Sequence, residues 1–324
     1  MIADMNNEEQ SAKAFSLQSK IFDELYRGNS IIQYKRERVR AVVQQFAPKN
    51  SAVLELNSGT GEDAIWFAEQ GYTVHATDIS SGMQDTLKSK VNALNLQEKI
   101  STEIISFTDL EHLKERKEYD LIFSNFAGLN CTGELDKVLH SFSSLLKTKG
   151  IAVLVILPKF CLWEFLLIFK GKFKTAFRRF FSSKGVSAHI EGTYFRCWYY
   201  NPSYVIKHLQ SQFTVLKVEG LCTIVPPSYI EGFAEKRPGL FSFLKNAGAK
   251  LFGKKAEEND AVKAAADEAA ENASKVASLT AVINASGIGV EDLSIELNDD
   301  TAVIYGKVNS VSDKEKIVLM VGNT

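Results

Sequence analysis

An apolar strand that runs without a break into a glycine turn and then into a helix leaves a chain few folds to choose from. Residues 52–69, "AVLELNSGTGEDAIWFAE", form such a unit, and the rhythm repeats. "YTVHATD" (72–78) reads as a second strand and "GMQDTLKSKVNALN" as its helix. "ISTEIISF" (100–107) and "YDLIFSNF" (119–126) are further strands. "GELDKVLHSFSSLLKTKG" reads as a helix closing on Gly150 after basic residues, as helix C-termini favour. "IAVLVILP" (151–158) is a continuous apolar run, typical of a strand buried on both faces. Repeated βα units predict an α/β fold, a doubly wound and mostly parallel sheet. In such sheets ligands bind outside the carboxyl ends of the strands.

The flanks of this core read differently. Residues 8–47 are polar, amphipathic and helical, and residues 159–200 break the rhythm as an insertion. "PSYVIKHLQSQ" then resumes a helix and "FTVLKVEGLCTIV" a strand. From about residue 240 the character changes again. "GLFSFLKNAGAKLFGKK" is short and amphipathic, "DAVKAAADEAAENASKVASLTAVINASG" is Ala-rich and helical, "DLSIELNDDTAVIYGKV" is a hairpin, and "SDKEKIVLMVG" is a helix with Ser312 as N-cap. The boundary falls near residues 237–240, giving domains of 1–237 and 238–324. With 45% apolar and 24% charged residues in 324, the composition is that of a globular protein with a sizeable core. A net charge of −1 gives no global argument for nucleic acid, and none is expected as a partner. Cys131, Cys161, Cys197 and Cys222 are scattered, with no CxxC and no metal-like cluster, so no metal is expected. No secretory signal opens the chain and no apolar run reaches the roughly 18–20 residues of a membrane span, so a cytoplasmic location with reduced thiols is expected.

The chemistry lies in the first turn. Gly59-Thr60-Gly61-Glu62-Asp63-Ala64 satisfies G-x-G-x-x-G/A, so a dinucleotide loop must be weighed. In such a loop a pyrophosphate sits on the helix N-terminus. Glu55, Glu62 and Asp63 crowd that position and would oppose it. A cofactor with a positive centre, an ammonium group and no phosphate fits better, and S-adenosylmethionine is one. Asp78 ends the second strand, 17 residues after Gly61, where an acid takes ribose hydroxyls in either cofactor class.

Residues 53–61 resemble motif I of the class I S-adenosylmethionine-dependent methyltransferases, whose pattern is roughly acid-x-Gly-x-Gly-x-Gly. Glu55, Gly59 and Gly61 match, Ser58 lies within the loop, and Asn57 replaces the first glycine. "ATDISSGM" resembles the second motif, which implies Ile79 and Met83 near the adenine. "ISFTDL" resembles the loop after the third strand, which implies Phe107 or Thr108 beside it. "YDLIFSNFAGLN" resembles the fourth motif, which implies that Asn125 and Phe126 reach the cofactor. "NSIIQYKRERV" resembles a segment that caps the methionine end, where Arg36 would pair with the carboxylate. The resemblance covers residues 15–235 and implies a Rossmann-like fold and methyl transfer to a small-molecule or lipid-like acceptor.

Each residue also has a plainer reading. Against the functional reading, Glu55 can be a solvated strand-end acid, Asp78 a helix cap, and Phe107 and Phe126 core, while Arg36 reads first as an ordinary surface residue. No catalytic base is assigned, because His189, Tyr194, Tyr199 and Tyr200 in the insertion read as packing or surface. The insertion stretch "KFCLWEFLLIFKGKFKTAFRRFFSSK" (159–184) mixes eight aromatics with seven basic residues and one acid. It reads as a lid over an apolar acceptor, as an interfacial contact with a membrane surface, as an aromatic–basic face for nucleic acid, or as a helix pair closing the core. Residues 238–324 resemble the first half of the bacterial potassium-binding protein built from a BON and a LysM domain. This implies a small α+β module; the sequence stops before its last strand, so potassium binding is not expected to survive. The rivals are a non-catalytic, degenerate cofactor fold with Asn57 as the lesion, joined to a cation-binding module, and an NAD-dependent oxidoreductase.

Overall fold

The computed structural model describes residues 2–114, 117–228, 232–252, 279–281, 283–298, 301–308 and 310. The chain divides into two compact units, Met1–Lys254 and Lys255–Thr324.

The first unit opens with two helices, α1 (Ile2–Arg27) and α2 (Ser30–Phe46). The break between them is capped by Asn29, whose side chain accepts from the amides of Ile31 and Ile32. The repeating units follow: β1 (Ala52–Leu56), α3 (Glu62–Glu69), β2 (Thr73–Asp78), α4 (Ser81–Ala93), β3 (Ile100–Ile104), β4 (Tyr119–Ser124), α5 (Leu135–Ser141) and β5 (Leu146–Leu154). The five strands form one parallel sheet in the order β3-β2-β1-β4-β5. The order reverses at β1, so the crevice of the fold opens where the glycine turn lies. Alternate residues of β1 enter opposite cores. Val53 packs with Phe67, Val74 and Phe123 under α2, α3 and α4. Leu54 and Leu56 pack with Ile122, Leu139 and Phe142 under α5. Both faces are covered, as a doubly wound sheet requires.

Two expectations fail at the edge of this sheet. The helix expected to run to Gly150 ends at Ser141, passes through a 3₁₀ turn at Phe142–Ser144, and gives way to β5 at Leu146. Serine hydroxyls take the backbone carbonyls there, Ser141 from Val138 and Ser144 from Ser141, and loosen the helix. The apolar run 151–156 is only half-buried, because β5 is the edge strand. The strand expected in 213–225 does not form among the described residues. Residues 213–220 nevertheless alternate half-buried and exposed, the burial period of a strand, without a ladder partner.

After β5 the insertion contains α6 (Leu162–Phe165), a 3₁₀ turn at Leu166–Lys170, α7 (Phe173–Phe177) and an antiparallel hairpin of β6 (Val186–Ile190) and β7 (Thr193–Cys197). Then come α8 (Pro202–Leu209), α9 (Phe233–Lys236) and α10 (Pro238–Phe252). Phe241 of α10 is buried with Ile31, Val225 and Ala234, which ties this helix to the first unit. Among the described residues no helix is long and apolar enough to cross a membrane.

In the second unit the expected hairpin is present. Strand β8 (Val290–Asn298) pairs antiparallel with β9 (Thr301–Val308), with Ile295 opposite Ile304. Most of the expected Ala-rich helix and all of the expected last helix lie outside the described residues.

Candidate functional site

The turn after β1 is built by backbone geometry that few residues tolerate. Asn57, Gly59 and Gly61 all have positive φ, at +49°, +56° and +83°. At Gly61 a β-carbon would collide with the Leu87 side chain, so the residue that opens α3 must be glycine. Asn57 adopts the left-handed region that asparagine accepts better than most residues. Its side chain turns toward β4: Nδ2 donates to the Asn125 carbonyl (2.9 Å) and Oδ1 accepts from the Ser124 hydroxyl (2.6 Å).

Asp78 fastens this turn to the loop after β2. Its Oδ2 accepts from the Gly59 amide (2.9 Å) and its Oδ1 from the Ser80 amide (2.8 Å). Burial raises its pKa, and the amides that bond it pull the other way. The helix cap of α4 is Ser80, not Asp78. The Ile79 amide bonds Asp78 as well, so three of the roughly four acceptor sites on its two oxygens are taken and one is left for a hydroxyl donor. Ser58 donates its amide to the Thr77 carbonyl, and its hydroxyl accepts from Gln84. Ile79 is half-buried, whereas Met83 is fully buried in the inner face of α4.

Glu55 is not a solvated acid. It is 3% exposed and its Oε2 has no hydrogen-bond partner. Burial first, and then the charge of Asp63, hold its carboxyl well above the usual range, against the pull of Arg40 and Arg36. Asp63, in the first turn of α3, is the hub of the surrounding network. It accepts from Arg40 Nε (2.8 Å) and from Asn125 Nδ2 (2.9 Å), and it faces Arg36 Nε at 3.5 Å. Arg36 is buried too, and its Nε makes no hydrogen bond. Its guanidinium lies 5.0 Å from the centroid of the Phe126 ring, and Phe126 is itself held at a positive φ of +52°. The hub was not foreseen. Arg36 and Arg40 are four apart on α2 and so share a face, and Asp63 follows Gly61 by two residues; that spacing was the available signal.

The third strand's loop brings Phe107 against the α5 face of the core and places the Thr108 hydroxyl 2.7 Å from Glu8 of α1. That contact belongs to a larger feature, also unforeseen: α1 roofs the carboxyl ends of the strands. Thr60 donates to Asp23 (2.6 Å), Ser16 bonds Ser80 (2.8 Å), and Asn7 donates to the Cys131 carbonyl (2.9 Å). Beside Arg36 and beneath this roof is a cavity of about 10 Å³, lined by Phe22, Asp23, Tyr26, Arg27, Arg36 and Glu62. It falls short of the roughly 300 Å³ at which small-molecule pockets begin.

At the end of the insertion, Tyr199 and Tyr200 are buried, and the Tyr200 hydroxyl donates to the Thr132 carbonyl (2.6 Å). Tyr194 is exposed and stacks on His189 at the hairpin surface. Cys131 and Cys197, far apart in sequence, meet in a thiol–thiol hydrogen bond that holds Cys131 well above and Cys197 below the ordinary thiol value.

Residues 53–150 match the family described as "Methyltransferase domain". No curated protein matches the chain. Among solved structures, the chain is similar to the CcbJ methyltransferase of Streptomyces caelestis, with 28% identity, covering 37% of this chain and 47% of that one at a TM-score of 0.33. A Listeria monocytogenes structure assigned to the S-adenosylmethionine-dependent methyltransferases shares 16% identity over 63% of this chain and 92% of that one, at a TM-score of 0.48. The 1,6-didemethyltoxoflavin-N1-methyltransferase of Burkholderia thailandensis, with bound S-adenosylhomocysteine, shares 13% identity over 63% and 76%, at 0.42. The present chain thus spans about half of the first of these and most of the other two. Residues 53–150 are thus similar to a methyltransferase domain.

Proposed function

We propose that the chain transfers a methyl group from S-adenosylmethionine to a small-molecule or lipid-like acceptor, in a cytoplasm. One observation carries the reading. Glu55 Oε2 and Arg36 Nε are both buried, both lack a hydrogen-bond partner, and both face Asp63. Buried polar groups are ordinarily paired. One orphan acceptor and one orphan donor that feel each other's charge match the ammonium and carboxylate of one α-amino acid, and a dinucleotide has neither.

The cofactor supplies a methyl carbon activated by a sulfonium. The protein's part is positioning. Glu55 and Arg36 hold the amino-acid end, with Arg40 and Asn125 keeping Asp63 and therefore Arg36 in place. Asp78 takes a ribose hydroxyl with the lone pair that its three amide bonds leave free. Ile79, Phe107 and Thr108 border the adenine, and the Gly59–Gly61 turn lets the backbone approach. The acceptor enters from the side of Phe126 and the insertion, and α1 excludes water once the site is filled. No residue is assigned as a base, since an acceptor without a departing proton needs none.

The test is calorimetric titration with S-adenosylhomocysteine and, separately, with NADH. Saturable binding of the first, abolished by Asp78→Ala, is expected. Binding of NADH alone would sink the proposal. We assign the β8–β9 hairpin to a BON-like module, and expect a potassium-for-sodium exchange to shift the melting temperature of the whole chain little or not at all.

A further inference from the structure

The insertion has an inner and an outer side of opposite character. Its inner side is fastened to the first unit. Glu164 is 2% exposed and accepts from Arg178 (2.8 and 2.9 Å) and Arg179 (2.6 Å). These arginines hold its carboxyl down at about 2, against the cost of burial. Arg179 also reaches the Pro158 carbonyl and lies over Tyr199, and the Trp163 ring nitrogen donates to the Ile224 carbonyl. Ala176 and Ser182 are fully buried.

The outer side is apolar and basic. Phe169 is 85% exposed, Phe181 79% and Phe173 58%. Behind them Phe165, Phe177 and Phe180 contact one another ring to ring, at centroid separations of 6.1 and 6.2 Å. Lys170, Lys172, Lys174 and Lys184 are exposed among these rings, and the sole acid of residues 159–184 is the buried Glu164. Core packing does not account for three rings this open within residues 169–181, each with a basic neighbour close in sequence.

We propose that this outer side docks on an anionic lipid bilayer, the phenylalanines entering the interface and the lysines meeting acidic headgroups. The charge pattern selects that occupant. A second copy of the same face would set lysine against lysine across a two-fold contact. Nucleic acid is favoured by free guanidinium forks, and here Arg178 and Arg179 are committed to Glu164. Phenylalanine with lysine around it is the composition of segments that lie in a membrane interface. Because the insertion directly follows β5, docking would turn the acceptor side of the sheet toward the lipid.

The test is co-sedimentation of the full chain with vesicles of phosphatidylcholine alone, or with phosphatidylglycerol added. Binding is expected only to the second, and it should weaken as salt rises. Phe169→Ser with Phe181→Ser should lower that binding by at least about tenfold, from the apolar area withdrawn. Lys170→Ser with Lys172→Ser should lower it by roughly 30-fold, at about fivefold per lysine. All four side chains are exposed, so unchanged melting temperatures should show that the variants fold. Equal binding to both vesicles, no binding to either, or vesicle binding indifferent to these variants would overturn the proposal. So would preference for single-stranded DNA over anionic vesicles. S-adenosylhomocysteine binding, measured without lipid, is independent of all these outcomes and keeps the methyl-transfer reading separately testable.

Discussion

Glu55→Gln should make the free protein at least as stable and the cofactor complex weaker. Most substitutions at a binding site lower both or spare both, so opposite signs are informative. In the free protein, Glu55 Oε2 is buried with no hydrogen-bond partner, and burial together with Asp63 raises its pKa. An acid whose folded pKa lies above its unfolded value loses stability as pH rises. The two states titrate alike below the ordinary carboxylate value near 4.5, and the full penalty applies above the raised folded value. Glutamine cannot ionise and so escapes that penalty. The variant should match the parent near pH 4.5 and exceed it toward neutral pH, by on the order of 1 kcal/mol, or roughly 1–2 °C in melting temperature for a chain of this size.

The cofactor reverses the balance. An ammonium against Glu55 favours its ionised form, so binding should release a proton wherever the free carboxyl is still protonated. S-adenosylhomocysteine affinity of the parent should therefore rise with pH through that range, and the heat of binding should depend on the ionisation enthalpy of the buffer. Glu55→Gln should lose both signatures. Losing a charge-assisted hydrogen bond of about 1.5–3 kcal/mol weakens binding roughly 10- to 150-fold. Calorimetry in two buffers and thermal denaturation at several pH values measure both sides. If Glu55→Gln destabilises the free protein while leaving affinity and proton release untouched, Glu55 is a structural acid and the orphaned-acceptor argument fails.

Gly61→Ala should cost about 2–5 kcal/mol, summing a left-handed alanine and the overlap with Leu87. Pairing it with Leu87→Ala should recover part of that loss in denaturant titrations; strict additivity would show that the overlap is not the cause. Asn57→Gly should lower stability by about 1–3 kcal/mol, because the Ser124 hydroxyl and the Asn125 carbonyl lose their partner. Its S-adenosylhomocysteine affinity should stay within about threefold of the parent, at most ~0.7 kcal/mol; a tenfold gain would show that Asn57 does obstruct the site. Glu164 has a depressed carboxyl, so its contribution is full above the ordinary value of 4.5 and is lost as pH falls through about 2. Protease nicking within the insertion should thus begin only near that lower pH, and Glu164→Gln should bring it on at neutral pH.

Much of the sheet was legible because parallel strands write themselves as separate apolar runs, each followed by its own helix. The turn residues were legible for a related reason: Gly59, Gly61 and Asp78 act through backbone positions that local sequence fixes. What escaped was everything assembled across the chain. Asp63 becomes a hub only when α2 delivers Arg36 and Arg40 to it. Helix α1 becomes a roof only when Glu8, Ser16 and Asp23 meet loops that lie 37 to 100 residues away. The strand expected in 213–225 failed for the same reason. Its alternating pattern is present, but a strand exists only with a ladder partner, and among the described residues none lies alongside it.

Asn57 shows how a departure from a motif can be absorbed rather than suffered. A glycine at that position has two uses: it accepts a positive φ, and it leaves room. Asparagine meets the first at a φ of +49°. The second has moved to Gly128. A β-carbon on Gly128 would collide with the Asn57 side chain, so the space that a glycine at 57 would have left open is now supplied from the opposite loop. The side chain that enters it joins the end of β1 to the end of β4 through Ser124 and Asn125, and Asn125 in turn holds Asp63. The asparagine is thus a strut between two strand ends that a cofactor of this class would span. On this geometry the missing glycine is no ground for a degenerate site; its replacement stiffens the loop that follows the buried Glu55.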